Sequence, residues 1–290
     1  MKILLAVDSS AQSDRAVAIV ADRPWPPNTT VEVLSVVEPL YAWDVPSLME
    51  TLNQMADESV QAAAQQLRSS GIQPTTLVSC GDAKAAIVDR AREMGADLVV
   101  VGSHGVTSVR RFLLGSVARA VLRSAPCSVE IVRAEAVPGA MKILLATDGS
   151  QCSEAAARSI AERPWPSGTK VRILSVAEHP IRLPAAADRH RLDPAAMKKL
   201  EEAAIERAQG AVRSAEKIIR EGSLPASGTA AAPSATPKEI ILQEAAECGA
   251  HLIVVGSHGR RGIDRFLIGS VSEAVAIHAL CSVEVIRHSQ

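Results

Sequence analysis

Aromatic residues and net charge are both scarce in this chain. Its 290 residues include one Tyr, three Trp and two Phe, and 31 Lys and Arg face 32 Asp and Glu for a net charge of −1. So few aromatic rings leave little for a platform on which nucleic-acid bases could stack. A balanced charge gives no electrostatic reason to expect nucleic acid or an anionic membrane as a partner. We therefore expect neither.

Cysteine patterns and long apolar runs are also missing. The five cysteines are odd in number and none forms a C-x-x-C motif, which argues against structural zinc and a disulfide framework and favours a reducing, cytoplasmic location. The apolar run at residues 3–7 ends at Asp8 and is too short for a signal sequence or a membrane span. The length predicts two domains, each able to bury a core.

The sequence repeats itself. The segment M-K-I-L-L-A-V-D at residues 1–8 returns as M-K-I-L-L-A-T-D at 141–148, and R-P-W-P at 23–26 returns at 163–166. Further along, G-S-H-G occurs at 102–105 and again at 256–259. The period is a whole domain, so the repeat indicates a duplicated domain rather than a solenoid. We predict domains at residues 1–137 and 141–290.

Each copy alternates strand and helix patterns. In copy one we predict strands at residues 3–7, 31–37, 75–78, 98–101 and 128–132, with helices between them. Copy two follows the same order, but its third strand is weakly marked, because residues 226–235 are nearly all Ala, Ser, Pro and Gly. Such a strand suits only the edge of a sheet. Apolar strands alternating with helices predict an α/β fold with two doubly wound, Rossmann-like domains and parallel sheets.

In such folds ligands bind outside the carboxyl ends of the strands. At these ends both copies carry the pattern G-x2-G-x9-G-S, formed by Gly102, Gly105, Gly115 and Ser116 in copy one and by Gly256, Gly259, Gly269 and Ser270 in copy two. The last Gly-Ser opens a helix, whose free N–H groups and dipole favour an anion, most naturally phosphate. The Walker and dinucleotide fingerprints are both absent.

A second interpretation treats these residues as structural only. The glycines would then make tight turns, with positive φ at Gly115 and Gly269, and Ser116 and Ser270 would be ordinary helix N-caps. The same nine-residue spacing in two diverged copies makes the phosphate interpretation the stronger one.

The arrangement resembles the universal stress protein family, specifically its ATP-binding branch in tandem two-domain form. The family motif G-x2-G-x9-G-[ST] is complete in both copies, and the resemblance covers essentially the whole chain. It implies five-stranded sheets of order 3-2-1-4-5, and an internal pseudo-dimer in which the last strands of the two halves pair antiparallel. One departure is Ser9, where copy two has Gly149.

The resemblance also implies roles for individual residues. Asp8 and Asp148 would contact ribose or base, and Val36 and Val176 would meet adenine through backbone groups. The motif glycines and serines would hold the phosphates. An apolar floor would be formed by Val101, Val117, Val255 and Val271.

Other candidate residues have two interpretations each. Asp8 and Asp148 are as suited to capping a helix as to contacting a ligand. His104 and His258 could meet phosphate or base, or face solvent. Arg111 and Arg265 could reach a triphosphate or be solvated loop charges. Trp25 and Trp165 are expected to pack a loop onto each domain.

The function that these observations favour is binding of ATP, with or without Mg²⁺, by a stress-response regulator that works through nucleotide-dependent conformation or partner binding. We assign no catalytic or metal-ligating residue, because efficient phosphoryl transfer needs a positioned Mg²⁺ and a nucleophile-orienting residue; slow hydrolysis is the most we expect. Two alternatives stay open: an interaction module of the same fold without nucleotide, and a nucleotidyl-transferring enzyme. A homodimer of whole chains is compatible with each.

Overall fold

The computed structural model describes residues 1–39, 45–105, 114–133, 135, 139–178, 193–260 and 268–287. Within these ranges none of the helices is long and apolar enough to cross a membrane.

The described residues of the first half form five strands and four helices. The strands are β1 (Lys2–Ala6), β2 (Thr30–Val37), β3 (Thr75–Cys80), β4 (Leu98–Gly102) and β5 (Ser128–Val132). The helices are α1 (Ala11–Asp22), α2 (Pro46–Ser69), α3 (Ala83–Met94) and α4 (Ser116–Ser124).

The second half repeats this order. Its strands are β6 (Lys142–Ala146), β7 (Lys170–Val176), β8 (Ala226–Ala231), β9 (Leu252–Gly256) and β10 (Ser282–Ile286). Its helices are α5 (Gln151–Glu162), α6 (Pro194–Glu221), α7 (Pro237–Glu247) and α8 (Ser270–His278).

The ten strands of the described part of the chain form one sheet, in the order β3-β2-β1-β4-β5-β10-β9-β6-β7-β8. Within each half the pairing is parallel and the order is 3-2-1-4-5, which confirms the expected domain architecture. The weakly marked third strand of the second half exists as β8 and lies at an outer edge of the sheet, where its small residues are tolerated.

The halves meet at the antiparallel pair of β5 and β10, in the register Val283↔Ile131, Glu284↔Glu130 and Val285↔Val129. This joint confirms the internal pseudo-dimer. It also covers the free edge that each half would otherwise expose.

One face of the sheet carries a hydrophobic core that is continuous across the joint, and the other face carries a separate core in each half.

Two buried ion pairs lie at this joint. Glu130 and Glu284 face each other in the register and are 0% and 1% exposed. Arg23 donates both terminal nitrogens to Glu130, at 2.7 and 2.8 Å, and Arg163 donates to Glu284 at 2.7 Å. Burial of a carboxylate is tolerated only with such a partner. The arginines of the two R-P-W-P segments therefore neutralise the two glutamates that the joint buries.

The tryptophans of the same segments pack as expected. Each ring N–H donates to a carbonyl of the preceding helix, Trp25 to Val20 and Trp165 to Ile160, both at 2.8 Å. The guanidinium of Arg23 lies 5.3 Å from the ring centre of Trp25 and 5.4 Å from that of Trp165 in the other half. The segment therefore also fastens the two halves together through cation–π contact, a role that the sequence pattern did not indicate.

Candidate functional site

A cavity of about 330 Å³ opens in the second half at the carboxyl ends of its parallel strands, where the order of the sheet reverses. The ends of β6, β7 and β9 form its base, and the starts of α7 and α8 form its sides. Its volume lies in the range of small-molecule sites, roughly 300–1,000 Å³. Doubly wound sheets place ligands at this point.

The cavity collects most of the candidate residues of the second half. Nine candidate residues predicted from the sequence line it: Asp148, Val176, Val255, Gly256, His258, Gly259, Gly269, Ser270 and Val271. The tenth candidate of this half, Arg265, lies outside the described residues, as does Arg111 in the first half.

Nine further residues line the cavity without having been named from sequence: Ala146, Thr147, Ser153, Leu174, Glu178, Pro237, Ile241, Arg260 and Ser272. Leu174 and Ile241 extend the apolar wall, and Arg260 and Glu178 bring charge to it. Two signals could have found some of them. Glu178 follows the strand-end Val176 by two positions, and Arg260 comes directly after the loop glycine Gly259.

The motif glycines are required for space and not for an unusual backbone. Among the glycines that the structure describes, seven others have positive φ, while Gly115 and Gly269 have φ of −61° and −65°. The expectation of positive φ at these two residues is therefore wrong. A Cβ on Gly269 would instead stand 3.1 Å from the carbonyl oxygen of Ser257.

The other motif glycines are equally crowded. A Cβ on Gly256 would lie 2.7 Å from the backbone of Cys152, at the start of α5. One on Gly259 would lie 2.7 Å from a carboxylate oxygen of Asp148. The corresponding contacts in the first half are 2.9 Å from Gly102 to the Cβ of Gln12 and 2.6 Å from Gly105 to Asp8. The glycines thus let the loop after each fourth strand lie against the first helix and its preceding Asp.

The helices that follow these loops begin without a side-chain cap. The N-cap residues of α4 and α8 are Gly115 and Gly269, and Ser116 and Ser270 are the first helical residues. The interpretation of these serines as ordinary N-caps is therefore wrong. By contrast Ser10, Ser150, Asp82 and Asp193 cap α1, α5, α3 and α6 with their side chains. Among the described residues, neither glycine cap makes a side-chain hydrogen bond to its helix, an arrangement that suits an anion site at the free N–H groups.

Asp148 connects the two loops that border the cavity. Its carboxylate accepts the backbone N–H of Ser150 at 3.0 Å and that of Arg260 at 3.0 Å. The guanidinium of Arg260 also donates to the backbone oxygen of Asp148. Ser150, and not Asp148, is the N-cap of α5, so helix capping does not account for this aspartate.

Asp8 occupies the equivalent place in the first half. Its carboxylate accepts the N–H of Ser10 at 3.1 Å and the hydroxyl of Ser13 at 2.6 Å, and Ser10 is the N-cap of α1. The loops differ at the one position that departs from the motif: Gly149 has φ of 74°, whereas Ser9 is not among the residues with positive φ. The two halves therefore share the fold of this loop and the hydrogen bond from the N–H two residues after the aspartate, and they differ in the backbone at Ser9 and Gly149.

The two histidines lie inside the glycine loops. His104 is 9% exposed, and its Nδ1 lies 2.9 Å from the hydroxyl of Ser103; the expectation that it faces solvent is wrong. His258 lines the cavity, with its Nδ1 3.1 Å from the hydroxyl of Ser257. In the first half Val101 is buried, and Val36 and Val117 pack partly buried against the core on the same face.

Clustered metal ligands and reactive cysteines are two further kinds of functional group to consider among the described residues. No group of three or more His, Cys, Asp and Glu residues that could hold a metal ion occurs among the described residues. All five cysteines are free. Burial raises the pKa of the Cys127 thiol to about 12 and that of Cys281 to about 11, so both are small packed side chains and not nucleophiles.

Comparison with protein families gives a match in each half. The model of the universal stress protein family matches residues 1–133 and again residues 140–287. A universal stress protein of Mycolicibacterium smegmatis is 28% identical over 302 aligned residues, which cover 98% of this chain and 96% of that protein. One from Mycobacterium tuberculosis is 31% identical over 198 residues, covering 67% of this chain and 63% of that protein.

Solved structures show the same fold. A universal stress protein from Archaeoglobus fulgidus superposes with a TM-score of 0.69 at 21% identity, covering 100% of this chain and 97% of its own. A structure described as a universal stress protein from Pseudomonas aeruginosa gives a TM-score of 0.63 at 18% identity and covers 98% and 92% of the two chains.

Proposed function

The chain belongs to the universal stress protein family, and from that premise we propose that it binds ATP and passes the nucleotide-bound state on to a partner in a stress response. Nucleotide binding takes place in each half, at the carboxyl ends of the strands, within the cytoplasm. The observation that carries the proposal is the cavity of the second half, where an apolar wall, an aspartate and an uncapped helix N-terminus meet.

The parts of this cavity suit the three parts of ATP. The apolar side chains of Leu174, Ile241 and Val255 suit the faces of a purine ring, since nucleotide sites are mostly apolar with a few placed polar groups. Asp148 offers carboxylate oxygens, the usual acceptors for ribose hydroxyls. The N-terminus of α8, with the Ser270 hydroxyl and the Arg260 guanidinium nearby, suits phosphates.

Regulation rather than rapid turnover is the proposed use of the nucleotide. Efficient phosphoryl transfer needs metal ligands and a residue that orients the nucleophile, and the described residues provide no cluster that could hold a metal. Mg²⁺ would then arrive on the phosphates and keep most of its waters. We accordingly propose hydrolysis that is slow at most.

An added carboxylate at Ser270 tests the proposal. Ser270→Glu places a negative charge in the first turn of α8, which favours the helix by about 0.3–1 kcal/mol but repels phosphate. Titration calorimetry should therefore show wild-type protein binding two equivalents of ATP, Ser270→Glu one, and Ser116→Glu with Ser270→Glu none. Thermal melting should show no loss of stability in any variant.

Leu280→Glu is the matched control, since it adds the same charge at a surface residue that is 78% exposed and lies beyond the other end of α8. It should leave both equivalents in place. Undiminished ATP affinity in the Ser116→Glu, Ser270→Glu variant would refute the assignment of ATP to these loops. Mass spectrometry of small molecules released from freshly purified protein would show whether the interaction module without nucleotide is the better description.

A further inference from the structure

From each half of the chain, the arginine that follows the last strand reaches across the joint to backbone carbonyls in the last helix of the other half. Arg133, directly after β5, donates from Nη2 to the carbonyl oxygens of Ala276 and Ile277 in α8, the latter at 3.0 Å. Arg287, directly after β10, donates from Nη2 to the carbonyl oxygens of Leu122 and Arg123 in α4, at 3.0 and 2.9 Å. The two contacts are reciprocal and involve equivalent residues of the repeat.

These carbonyls belong to the last turns of the two helices whose first turns border the glycine loops. Helix α8 has nine residues, so its two ends lie only about 14 Å apart. Gly269 and Ser270 stand at its N-terminus, and Arg133 of the other half stands at its C-terminus. Helix α4 is also nine residues long and is bordered in the same way by Ser116 and Arg287.

The residue before each of these arginines is hydrogen-bonded to the glycine loop of its own half. The backbone N–H of Ser103 donates to the carbonyl oxygen of Val132 at 2.9 Å, next to Arg133. The N–H of Ser257 donates to the carbonyl oxygen of Ile286 at 2.8 Å, next to Arg287. A short covalent and hydrogen-bonded path therefore leads from the glycine loop of one half to the far end of the phosphate helix of the other.

The helix dipole explains why a positively charged arginine is favourable at this end of each helix. The C-terminus of a helix is the negative end of its dipole and is stabilised by a cation, while the N-terminus is stabilised by an anion. Both arginines are only partly exposed, and burial lowers the pKa of Arg133 and of Arg287. A guanidinium remains charged after such a shift, because its unperturbed pKa exceeds 12. Partial burial also keeps each charge from being screened fully by solvent.

We propose that Arg133 and Arg287 are positioning residues that act across the joint, each holding the phosphate-binding helix of the opposite half in place. The inference rests on the proposed function, since it concerns the same two sites. It makes each ATP site dependent on a residue of the other half. A bound phosphate and the crossing arginine stabilise opposite ends of one helix, so each favours the other.

Single-site backgrounds allow the crossed dependence to be measured. In Ser116→Glu only the second half is left to bind ATP, and there Arg133→Met should weaken binding about threefold to tenfold while Arg287→Met should not. In Ser270→Glu only the first half is left, and the two effects should exchange. ATP affinity is read by titration calorimetry on the full chain. The two arginines are each other's control, because they are equivalent in the repeat and lie at the same joint.

Lysine variants keep the test decisive if a methionine variant does not fold. Arg133→Lys retains the charge but has a single ammonium in place of the planar guanidinium, so it should recover part of the affinity in the same crossed pattern. Loss of affinity in the half that carries the substituted arginine, equal loss in both halves, or no loss would each overturn the inference. Wild-type protein that binds no ATP would overturn the proposed function and this inference with it; normal wild-type binding without the crossed pattern would overturn the inference alone.

Discussion

The motif glycines of the second half make room for backbone and carboxylate atoms that a side chain would displace. The six glycines of the two motifs were named from spacing alone, and the structure places Gly256, Gly259 and Gly269 around one cavity. Their usual explanation, a backbone of positive φ, does not apply to Gly115 or Gly269. What a sequence cannot show is the neighbour that a Cβ would meet, because that neighbour comes from a distant segment such as Ser257 or Cys152.

Gly269→Ala should therefore destabilise the protein through crowding. The new Cβ would press on the carbonyl oxygen of Ser257 at 3.1 Å, and overpacking of this kind costs about 1–3 kcal/mol. Gly210→Ala is the control. It lies within α6, and a Cβ there would meet nothing closer than a guanidinium nitrogen of Arg213 at 3.9 Å, so it should gain about 0.5–1 kcal/mol from helix propensity.

Denaturant unfolding of the two variants measures both effects. Equal stability of Gly269→Ala and wild type would show that the loop yields without cost. Since crowding also moves the loop, lost ATP affinity in a Gly269 variant cannot by itself identify the phosphate site. The added charge of Ser270→Glu is the cleaner probe of that site.

At the scale of elements, the strands could be predicted because apolar runs of fixed length are visible in the sequence, and the start of α1 because Ser10 caps it. The strand ends and the start of α8 then determine where most candidate residues of the second half lie. Pro237 and Ile241 were missed because they belong to α7, whose approach to the cavity depends on packing rather than on a local pattern. Arg260 was missed because its place directly after Gly259 does not reveal that its guanidinium donates to the backbone oxygen of Asp148.

Strand β8 illustrates how composition and packing interact. Its small residues are compatible with an edge, and one of them is needed there: a Cβ on Gly228 would collide with a methyl carbon of Val212 in α6. Along β8 the half-buried residues Ala226 and Gly228 alternate with the exposed Ser227 and Thr229. The glycine therefore faces the helix, and its absent side chain lets α6 lie close to the strand.

We expect Gly228→Val to destabilise the protein by about 1–3 kcal/mol, because the helix has to move away from the strand. Thr229→Val, on the exposed side of the same strand, keeps a β-branched residue and should stay within about 0.5 kcal/mol of wild type. Thermal melting of the pair tests the assignment of the two faces. A Gly228→Val protein that melts with wild type would mean that α6 does not pack on this strand as described.

At the scale of the whole molecule, the joint is symmetric in its backbone but not in its charges. Glu273 of α8 accepts from the Arg123 side chain at 2.8 Å and lies 3.6 Å from Arg119, both in α4 of the other half. In the repeat, Arg119 occupies the position that Glu273 occupies in the second half. The pairing of unlike halves therefore brings opposite charges together, whereas a pair of identical first halves would bring Arg119 against arginines.

The first half expressed alone, residues 1–137, should still dimerise through β5, because its apolar edge needs covering. The dimer should nevertheless be weak, since the ion pairs to Glu273 are replaced by like charges. Arg119→Glu in this fragment should strengthen it by placing a carboxylate opposite Arg123 on both sides. Each partly exposed pair contributes up to about 1 kcal/mol.

Sedimentation equilibrium of both fragments at low and high salt measures the difference, which should shrink as salt screens the charges. A wild-type fragment that stays monomeric at concentrations of roughly tens of micromolar would show that the edge of β5 alone does not drive association. If Arg119→Glu failed to tighten the dimer at low salt, the two copies of α4 in the fragment dimer would not contact each other in the way that α4 contacts α8 in the full chain. The expected outcome would show that the opposite charges of Arg119 and Glu273 make pairing of the two different halves more favourable than pairing of two first halves.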